Sequence, residues 1–490
     1  MLRSILSSVP RDTDYPERTF TLIWLKSALN GTLYDHLAYE FHDEKNGAGE
    51  YIPIRSRAPS VRYGLCSIVV HDSIALLFSE GHFPTVQCDD KATKTLLADL
   101  IKDARIDDAM VEAAMRGSVG SICISLRVLD NRAFYSVLDT EYLTPKWQAM
   151  APDTLESVTE RYKIKGADLA AAGYNIEAKR LGEWFWFQRV WDADAETWFV
   201  PQPVVDAAAV DAQPPAIDTA RTVAHGLGFV PMVWIKNLPG GNDIDGACTF
   251  RLAVETGIEI DYQLSQAGRG LKYSSDPTLL IKEPAQDGDI VKGAGNALIV
   301  SADGDAKMLE IGGTASAAVI EYVRELRALA LETVHGNRAS ADKLSAAQSG
   351  RALELMNQGL IWLADRLRAS YGEHGLLPLI RMTILASQKV PLSIFGAAPV
   401  SITMPERISL KWPRWYAPTA DDRQADASTL VSLKNNGLMS RQTAVGALAD
   451  AYDIEDTEAE LTLIAADIAA DDKRLIEVAA QTKAATTVPS

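Results

Sequence analysis

The chain has 490 residues, of which 47% are hydrophobic and 23% charged, and its formal net charge is −17 at pH 7. This composition is ordinary for a soluble protein, and the length exceeds what one hydrophobic core holds, so roughly two to four structural units are expected. Proteins that grip DNA tightly are usually basic, because neutralising phosphates releases counterions. The acidic charge therefore argues against high-affinity DNA binding, but it does not exclude DNA that passes along an acidic surface without adhering.

Neither a membrane anchor nor a disulfide framework is expected. The longest apolar runs, Ser67–Phe78 and Leu376–Leu385, are too short or too interrupted to span a bilayer. Residues 1–9 contain one arginine and no sustained apolar run, which does not fit a signal peptide. The cysteines form no CxxC pair and are interpreted as free thiols. They are Cys66, Cys88, Cys123 and Cys248.

Residues 1–245 predict a mixed α+β region. Apolar residues at helical spacing predict helices over Arg18–Leu37 and Lys91–Met115, although Asn30-Gly31 favours a break in the first. Turn residues between apolar and β-branched segments predict two β-hairpins, and a further strand precedes a Gly- and Asp-rich hinge. The hairpins are Ser121–Val128 with Ala133–Leu138 through Asp130-Asn131, and Trp184–Val190 with Thr197–Val200 through Asp192–Asp194; the further strand is Met232–Lys236.

The segment Gly246–Ile380 is the most informative part of the chain. It predicts a long helix, a small β-rich insert, a return helix, a polar loop and another helix, an order that suggests a mechanical rather than a chemical role. The helices are Ala247–Leu271, Ala315–His335 and Arg351–Ser370, the loop is Gly336–Gly350, and the short strands are Thr278–Ile281, Ala297–Ser301 and Lys307–Ile311.

The helix Arg351–Ser370 carries an apolar seam formed by Leu353, Met356, Leu360, Leu363 and Leu367. The spacing is compatible with core packing inside one chain and with a stripe facing another subunit, and it does not decide between them. Downstream, the sequence predicts an apolar stretch, a short strand and three helices. These are Leu376–Leu385, Ile408–Trp415 and the region from Thr419 onward.

No motif predicts catalysis, a cofactor or a metal site. A phosphate-binding Gly-x-x-x-x-Gly-Lys-Ser/Thr loop is missing, and His71-Asp72 has no Gly-x-Ser-x-Gly elbow to complete a triad. Asp287-Gly-Asp289 and Asp303-Gly-Asp305 lack the ligand series of a calcium loop and are interpreted as tight turns. Four tryptophans, Trp184, Trp186, Trp191 and Trp198, could stack bases, but spacing across a hairpin more often marks a packed or partner-facing sheet.

Several short segments carry a family resemblance through their order. They are Arg62–Asp72 with Phe78–Pro84, Met115–Gly120, His225–Met232 before Asn237, Gln348–Leu353, and a tail with Trp412-Pro413, Leu430, Asn436–Ser440 and Thr443-Ala444. The piece with most weight is Ser349-Gly350 followed by Ala352-Leu353, because a Ser-Gly joint gives a loop freedom before a rigid helix begins. In this order the chain resembles the portal proteins of tailed bacteriophages, the head-to-tail connectors of the Bacillus-phage-portal-like family.

The resemblance implies an α+β multidomain fold that assembles into a ring, usually a homododecamer, at one capsid vertex. The implied parts are an α+β wing over residues 1–246, stem helices over 247–276 and 314–335, a β-rich clip over 277–313, a tunnel loop over 336–350, a seam helix and wing return over 351–412, and a helical crown over 413–490 with a disordered tail at 485–490.

The resemblance also implies a structural role in the virion, with assembly in the host cytoplasm, and no enzymatic activity. Implied partners are further copies of the chain, the terminase large subunit, a head-completion or adaptor protein, the major capsid protein and scaffold, and double-stranded DNA that passes through the ring for packaging and ejection. Candidate DNA-facing residues are Arg338, Asp342, Lys343, Gln348 and Ser349, whose nearly balanced charges speak against a strong grip on phosphates. Candidate docking residues on the clip are Lys282, Asp287, Asp289, Lys292, Asp303 and Asp305.

Two other classes of protein remain as alternatives. The first is a cytosolic enzyme with an α+β catalytic half and a helical oligomerisation half, which the missing nucleophile–base or metal constellation disfavours. The second is a capsid scaffold or tail adaptor, although such proteins are generally smaller and lack two stem helices around a β insert.

Overall fold

The computed structural model describes residues 1–79, 81–204, 214–275, 278–284, 300–309, 314–336, 350–416, 419–449, 452, 454 and 456–485. The chain divides into two compact units. The first comprises Met1–Asn337 with Gly359–Pro413, and the second comprises Arg338–Gln358 with Arg414–Ser490. Helices and sheets are both present, so the mixed α+β class expected from the sequence is confirmed.

The N-terminal part of the first unit is mainly helical. Its helices are α1 (Leu2–Leu6), α2 (Glu17–Leu29), α3 (Leu65–Phe78), α4 (Lys91–Asp103) and α5 (Ile106–Gly117), with 3-10 helix Ile54–Ser56 and strands β1 (Tyr39–Glu40), β2 (Arg57–Ala58) and β3 (Thr85–Cys88) between them. Two expected helices are shorter than predicted. α2 ends at Leu29 with Asn30 as its C-cap, before Gly31 with a φ of 72°, and Arg105 with a φ of 51° separates α4 from α5.

Two antiparallel sheets follow. Their strands are β4 (Ser121–Leu129), β5 (Arg132–Asp139), β6 (Leu143–Gln148), β7 (Ala151–Lys165), β8 (Trp184–Trp191), β9 (Ala195–Trp198), β10 (Gln202–Pro203), β11 (Val223–Ala224) and β12 (Met232–Lys236), with helix α6 (Gly166–Ala171) and 3-10 helix Ala178–Arg180 between β7 and β8. One sheet has the order β11-β9-β8-β7-β6 with β10 on β8, and the other has the order β12-β4-β5. Both predicted hairpins are confirmed, and positive φ angles of 49° and 62° at Asp130 and Asn131 form the first turn.

A buried polar joint connects the end of β12 to the next helix. The Asn237 amide donates to the carbonyls of Ser118 and Ala247 and to the Thr249 hydroxyl, at 3.2, 2.8 and 2.9 Å. Its amide oxygen accepts from the Tyr371 hydroxyl at 3.1 Å. Because every polar atom of this buried side chain has a partner, the joint fixes where the long helix leaves the sheet.

The helix–hairpin–helix segment then follows in the predicted order. It consists of 3-10 helix Arg251–Ala253, helix α7 (Val254–Ser275), strands β13 (Thr278–Pro284) and β14 (Val300–Leu309), and helix α8 (Thr314–Thr333). The two helices pack against each other. The predicted helix from Ala247 therefore begins later, after a 3-10 turn.

The prediction of two separate strands over Ala297–Ser301 and Lys307–Ile311 was wrong for the residues that are described. β14 is one strand, antiparallel to β13, with Lys282 opposite Asp305 and Thr278 opposite Leu309. Asp303-Gly-Asp305 consequently lies within a strand and not in a turn. The partner strand supplies the backbone hydrogen bonds here, and this outweighs the local turn preference of the Asp-Gly-Asp sequence.

The expected single seam helix is interrupted. Helix α9 (Gly350–Met356) and helix α10 (Gln358–Leu367) are separated at Asn357, and a π-helical segment over Arg368–Leu376 continues into α11 (Leu377–Lys389). Leu360, Leu363 and Leu367 are buried, which confirms core packing for that part of the seam, whereas Met356 is 39% exposed.

The remaining elements are β15 (Ile408–Lys411), which pairs with β3, and the helices α12 (Ala420–Asn435), α13 (Arg441–Leu448) and α14 (Thr457–Ala485) of the second unit. The prediction of three helices after Thr419 is confirmed, and Thr419 with Asp422 forms a capping box at the start of α12. Of the tail expected to be disordered, Ala485 ends α14, and residues 486–490 lie outside the described part of the chain.

A candidate assembly site on the helix–hairpin–helix segment

The first half of α7 is anchored in the body of the first unit. Ile258, Ile260 and Tyr262 are buried, and the Tyr262 hydroxyl donates to the carbonyl of Arg57 at 2.6 Å. Asp261 is also buried, and its carboxylate accepts from the Tyr34 hydroxyl and from the Tyr63 backbone N–H, both at 2.7 Å. The base of the helix is therefore held by apolar packing and by directional hydrogen bonds.

Burial raises the pKa of Asp261, while the hydrogen bonds from the Tyr63 backbone and the Tyr34 hydroxyl act in the opposite direction. The net direction shows that removing this carboxyl from water outweighs its two donors. The residue lies in a structural joint, among tyrosines and backbone groups, and not beside a nucleophile. We therefore assign it to anchoring α7.

The return helix α8 changes from exposed to buried along its length. Ile320, Tyr322 and Leu329 are 45%, 48% and 56% exposed. Ala330 and, just beyond the helix, Val334 are buried. α8 thus rejoins the body at its C-terminal end and presents apolar side chains to solvent along the preceding turns.

Charges of both signs lie among these apolar residues. Glu321, Arg324 and Glu325 are exposed, and Arg324 lies 3.5 Å from Glu321 in an i,i+3 ion pair. Exposed pairs of this kind contribute little to the stability of one chain. Tyr322 and Leu329 are seven residues apart and share one face of α8, whereas Ile320 lies on the opposite side of the helix. The face of Tyr322 and Leu329 therefore combines apolar side chains with charged neighbours, a composition found at protein–protein interfaces.

The proposed clip residues are only partly described. Lys282 on β13 and Asp305 on β14 are directly opposite each other, and both are exposed. Asp303 lies on the same strand as Asp305. The other clip residues, Asp287, Asp289 and Lys292, lie outside the described residues.

All five candidate DNA-facing residues also lie outside the described part of the chain. They are Arg338, Asp342, Lys343, Gln348 and Ser349. Near the start of the loop, His335 is exposed with a φ of 56°, and its ring centroid lies 6.4 Å from that of Trp362, which is 56% exposed. The sequence analysis did not single out Trp362, although an exposed tryptophan on a seam helix is detectable as an apolar residue off the stripe.

The described residues hold no group of three or more His, Cys, Asp or Glu placed to bind a metal ion. All four cysteines are free. Burial raises the pKa of the Cys66 and Cys248 thiols to about 12, and burial also raises the pKa of the Cys123 thiol. Such thiols stay protonated at neutral pH and are poor nucleophiles.

Among the described helices, none combines the length and apolarity needed to cross a membrane. A cavity of about 460 Å³ lies beside Trp191, Leu227 and Val390. Its buried carboxylate, Glu196, is paired with Arg127 and Arg189. These ion pairs compensate the negative charge of Glu196.

No family model matches the chain, and no curated protein sequence matches it significantly. One matching solved structure is described as the virion of a native gene transfer agent particle, with 13% identity, a TM-score of 0.34, and coverage of 78% of this chain and 89% of that chain. Another is described as the neck of a native gene transfer agent particle computed with C12 symmetry, with 13% identity, a TM-score of 0.37, and coverage of 79% and 91%. TM-scores this low do not establish a common fold, so the function has to be inferred from the chain's own residues.

Proposed function

We propose that this chain is a portal-type subunit, of which copies form a ring at one capsid vertex and provide the channel for genome packaging and ejection. The observation that carries the proposal is the segment α7–β13–β14–α8. Two long helices with a buried base are joined through a β-hairpin, and a polar stretch and the seam helices follow. This order of elements is the one expected from the resemblance to portal proteins, which the motifs from Arg62–Asp72 to the tail carry.

The partner of the exposed face of α8 is a second copy of the same chain. Tyr322 and Leu329 share this face and expose apolar area that a single chain leaves in water, and burying it would stabilise each contact by on the order of a few kcal/mol. Glu321, Arg324 and Glu325 supply both signs of charge, so a neighbour offering a different face of the same chain can be complementary. A head-to-tail contact of this type closes into a ring when its rotation closes.

Helix α14 adds a second region for assembly. Leu463, Leu475, Ile476 and Val478 are 62%, 67%, 68% and 59% exposed, and they lie on a helix of 29 residues. A long helix with so little packing gains stability mainly from partners. We assign it to the crown, where copies of α14 pack in the ring.

The decisive experiment is to compare particle size for the wild-type chain and for Tyr322→Asp/Leu329→Asp by analytical ultracentrifugation and negative-stain microscopy. Wild-type protein at micromolar concentration should give rings with a central hole. The double variant should shift to monomers, because two carboxylates would have to be buried in the contact. Met150→Asp is the matched control, since Met150 is 97% exposed on the β6–β7 turn, and it should leave the rings intact.

Two results would overturn this proposal. If the wild-type chain remains monomeric at every salt concentration, copies do not form the ring. If rings persist in the double variant, the α8 face is not the contact between copies. Circular dichroism of each variant shows whether the subunit itself remains folded.

The loop over residues 336–350 is proposed to face DNA in the channel, and the hairpin β13–β14 is proposed to dock the terminase large subunit and later a head-completion protein. Deleting Ser340–Ala346 should leave rings intact and reduce the fraction of DNA-filled heads in infected cells. Loss of the ring would make the loop an assembly element. Unchanged packaging would mean that the loop does not contact DNA.

A further inference from the structure

A strip of cations and tryptophans covers one face of the β7–β8 pair. Lys163 lies opposite Trp186 and Lys165 lies opposite Trp184, so these side chains share a face of the sheet. The Arg161 guanidinium lies 4.3 Å from the Trp186 ring centroid, and the Lys165 ammonium lies 5.5 Å from that of Trp184. We call these five residues the cation–aromatic face. Its three positive charges contrast with the net charge of −17 of the whole chain.

The chain's own N-terminal segment occupies the middle of this face, around Lys163 and Trp186. Asp12 and Asp14 each lie 2.6 Å from the Lys163 ammonium. The Tyr15 ring centroid lies 5.6 Å from that of Trp186, and its hydroxyl accepts from the Lys163 backbone N–H at 2.7 Å. An acidic segment with an aromatic residue is therefore what this face binds within its own chain.

The ion pairs of Lys163 with Asp12 and Asp14 are electrostatically favourable. Burial opposes the charge on Lys163, but hydrogen bonds to Asp12 and Asp14 outweigh it and raise the pKa of this lysine. Burial likewise acts against the charge on Asp12, yet the bond from Lys163 leaves the pKa of Asp12 lowered. Both groups are thus held in their charged forms at neutral pH.

The two ends of the face are open, and they carry the exposed side chains of Arg161 and Lys165 on either side of Lys163. Trp184 is 48% exposed, and within the described part of the chain neither Arg161 nor Lys165 has a carboxylate at ion-pair distance. A cavity of about 450 Å³ lies next to Trp184. Its lining includes Asp12, Tyr15 and Lys163 of the occupied part, together with the apolar side chains of Pro10, Phe20, Ile23, Trp184 and Val204. Arg161 and Lys165 repeat, on either side of Lys163, the arrangement of a cation beside a tryptophan ring.

We propose that the cation–aromatic face binds an extended acidic peptide segment of a partner protein. The partner's carboxylates pair with Arg161 and Lys165, and an aromatic or large apolar side chain enters the cavity beside Trp184. The charge complementarity and the precedent of Asp12, Asp14 and Tyr15 favour a peptide.

The inference does not depend on ring formation, since the face lies on β7 and β8 and not on α7 or α8. The probe is a short fluorescein-labelled peptide of alternating Asp and Tyr residues, titrated with the full chain and followed by fluorescence anisotropy. Saturable binding is expected. The same peptide with Asn in place of Asp should have an affinity lower by at least about tenfold, because its charges are missing.

Two variants test the location. Arg161→Glu/Lys165→Glu should weaken binding of the Asp-Tyr peptide by about tenfold or more, and Trp184→Ala should weaken it through loss of the aromatic wall. Lys179→Glu is the matched control, because Lys179 is 78% exposed, is not one of the five residues of the face, and should not change binding. Thermal melting of each variant separates a loss of binding from a loss of folding.

The proposal is overturned if the Asp-Tyr peptide does not bind, or if it binds equally to wild type and to the charge-reversed variant. It is also overturned if a single-stranded oligothymidylate binds this face and the peptide does not, because the face would then be a nucleic-acid surface. Trp184→Ala provides independent evidence if the charge-reversed chain fails to fold.

Discussion

At the scale of single residues, Asp139 joins three elements of the first unit. Its carboxylate accepts from the Arg116 guanidinium, with Arg116 Nε 2.9 Å from Oδ1, and it also pairs with the ammonium of Lys26. These partners come from α5 and α2, while Asp139 ends β5. Burial would raise the pKa of Asp139, but hydrogen bonds from Arg116 and Lys26 prevail and lower it.

We expect Asp139→Asn to lower the free energy of unfolding at neutral pH by about 1–3 kcal/mol, because charged hydrogen bonds are lost and two cations are left beside a neutral amide. The folded-state pKa of Asp139 lies below the model-peptide value of 3.8. The stabilisation is therefore present above pH 3.8 and is lost as the pH falls through the folded pKa.

Urea unfolding at neutral pH and below pH 3.8 measures this effect. The difference between wild type and Asp139→Asn should shrink on acidification. Asp153→Asn, at an exposed position on β7, is the control and should have little effect at either pH. A difference that stays constant with pH would mean that Asp139 acts through packing and not through its charge.

Local chemistry accounts for which single residues could be predicted. Asp130-Asn131 was predicted as a turn because both residue types tolerate positive φ, and the structure has that conformation. The break at Arg105 was not predicted, since arginine has no such preference and the apolar spacing continues across it. Tertiary packing of α4 and α5 imposes that conformation.

At the scale of elements, the π-helical segment Arg368–Leu376 depends on two glycines. A side chain at Gly372 would overlap the ring of Trp412, and one at Gly375 would come within 2.8 Å of Ile235. The wide turn lets this segment lie against both neighbours while Tyr371 reaches Asn237. The seam pattern could not show this, because spacing reveals which side chains are apolar and not how closely a backbone is approached.

We expect Gly372→Ala to lower the free energy of unfolding by about 1–3 kcal/mol, because the added methyl group overpacks the contact with Trp412. Gly268→Ala in α7 is the matched control. No atom lies within 4 Å of a Cβ at Gly268, so the same substitution should stabilise the helix, by about 0.5–1 kcal/mol. Denaturant unfolding of both variants gives the comparison. Equal effects of the same sign would contradict the close packing at Gly372.

The β6–β7 hairpin is an element that the sequence pattern does not predict. Its strands are Leu143–Gln148 and Ala151–Lys165, and the turn between them has no Gly, Asn, Asp or Pro at positions 149 and 150. Without turn residues, the pattern gave no signal for a hairpin. The helix–hairpin–helix segment could be predicted because its helices are long and periodic. The exposure of its individual residues could not be predicted, because it depends on packing in the folded chain.

At the scale of the whole molecule, the net charge determines how the chain would interact with DNA in the proposed channel. The net charge of −17 gives a repulsive long-range field for phosphates. Candidate cations for a DNA contact are few, and Arg338 and Lys343 in the proposed tunnel loop are accompanied by Asp342. A channel of this composition would let DNA move through it, while a strongly basic wall would hold it.

We expect weak binding of duplex DNA by the purified chain at physiological salt, with an affinity that falls steeply as salt rises, because the attraction comes from a few cations that displace counterions. Arg338→Ala/Lys343→Ala should reduce the slope of log affinity against log salt by about 1 for each phosphate contact removed. Lys179→Ala, which removes one positive charge at a position 78% exposed on the sheet region, is the control and should leave the slope unchanged.

Gel-shift titrations across a salt series measure both the affinity for duplex DNA and its salt dependence. Nanomolar binding at physiological salt would contradict the proposal of a weakly gripping channel. A slope unaffected by the double variant would place the DNA contacts on other residues.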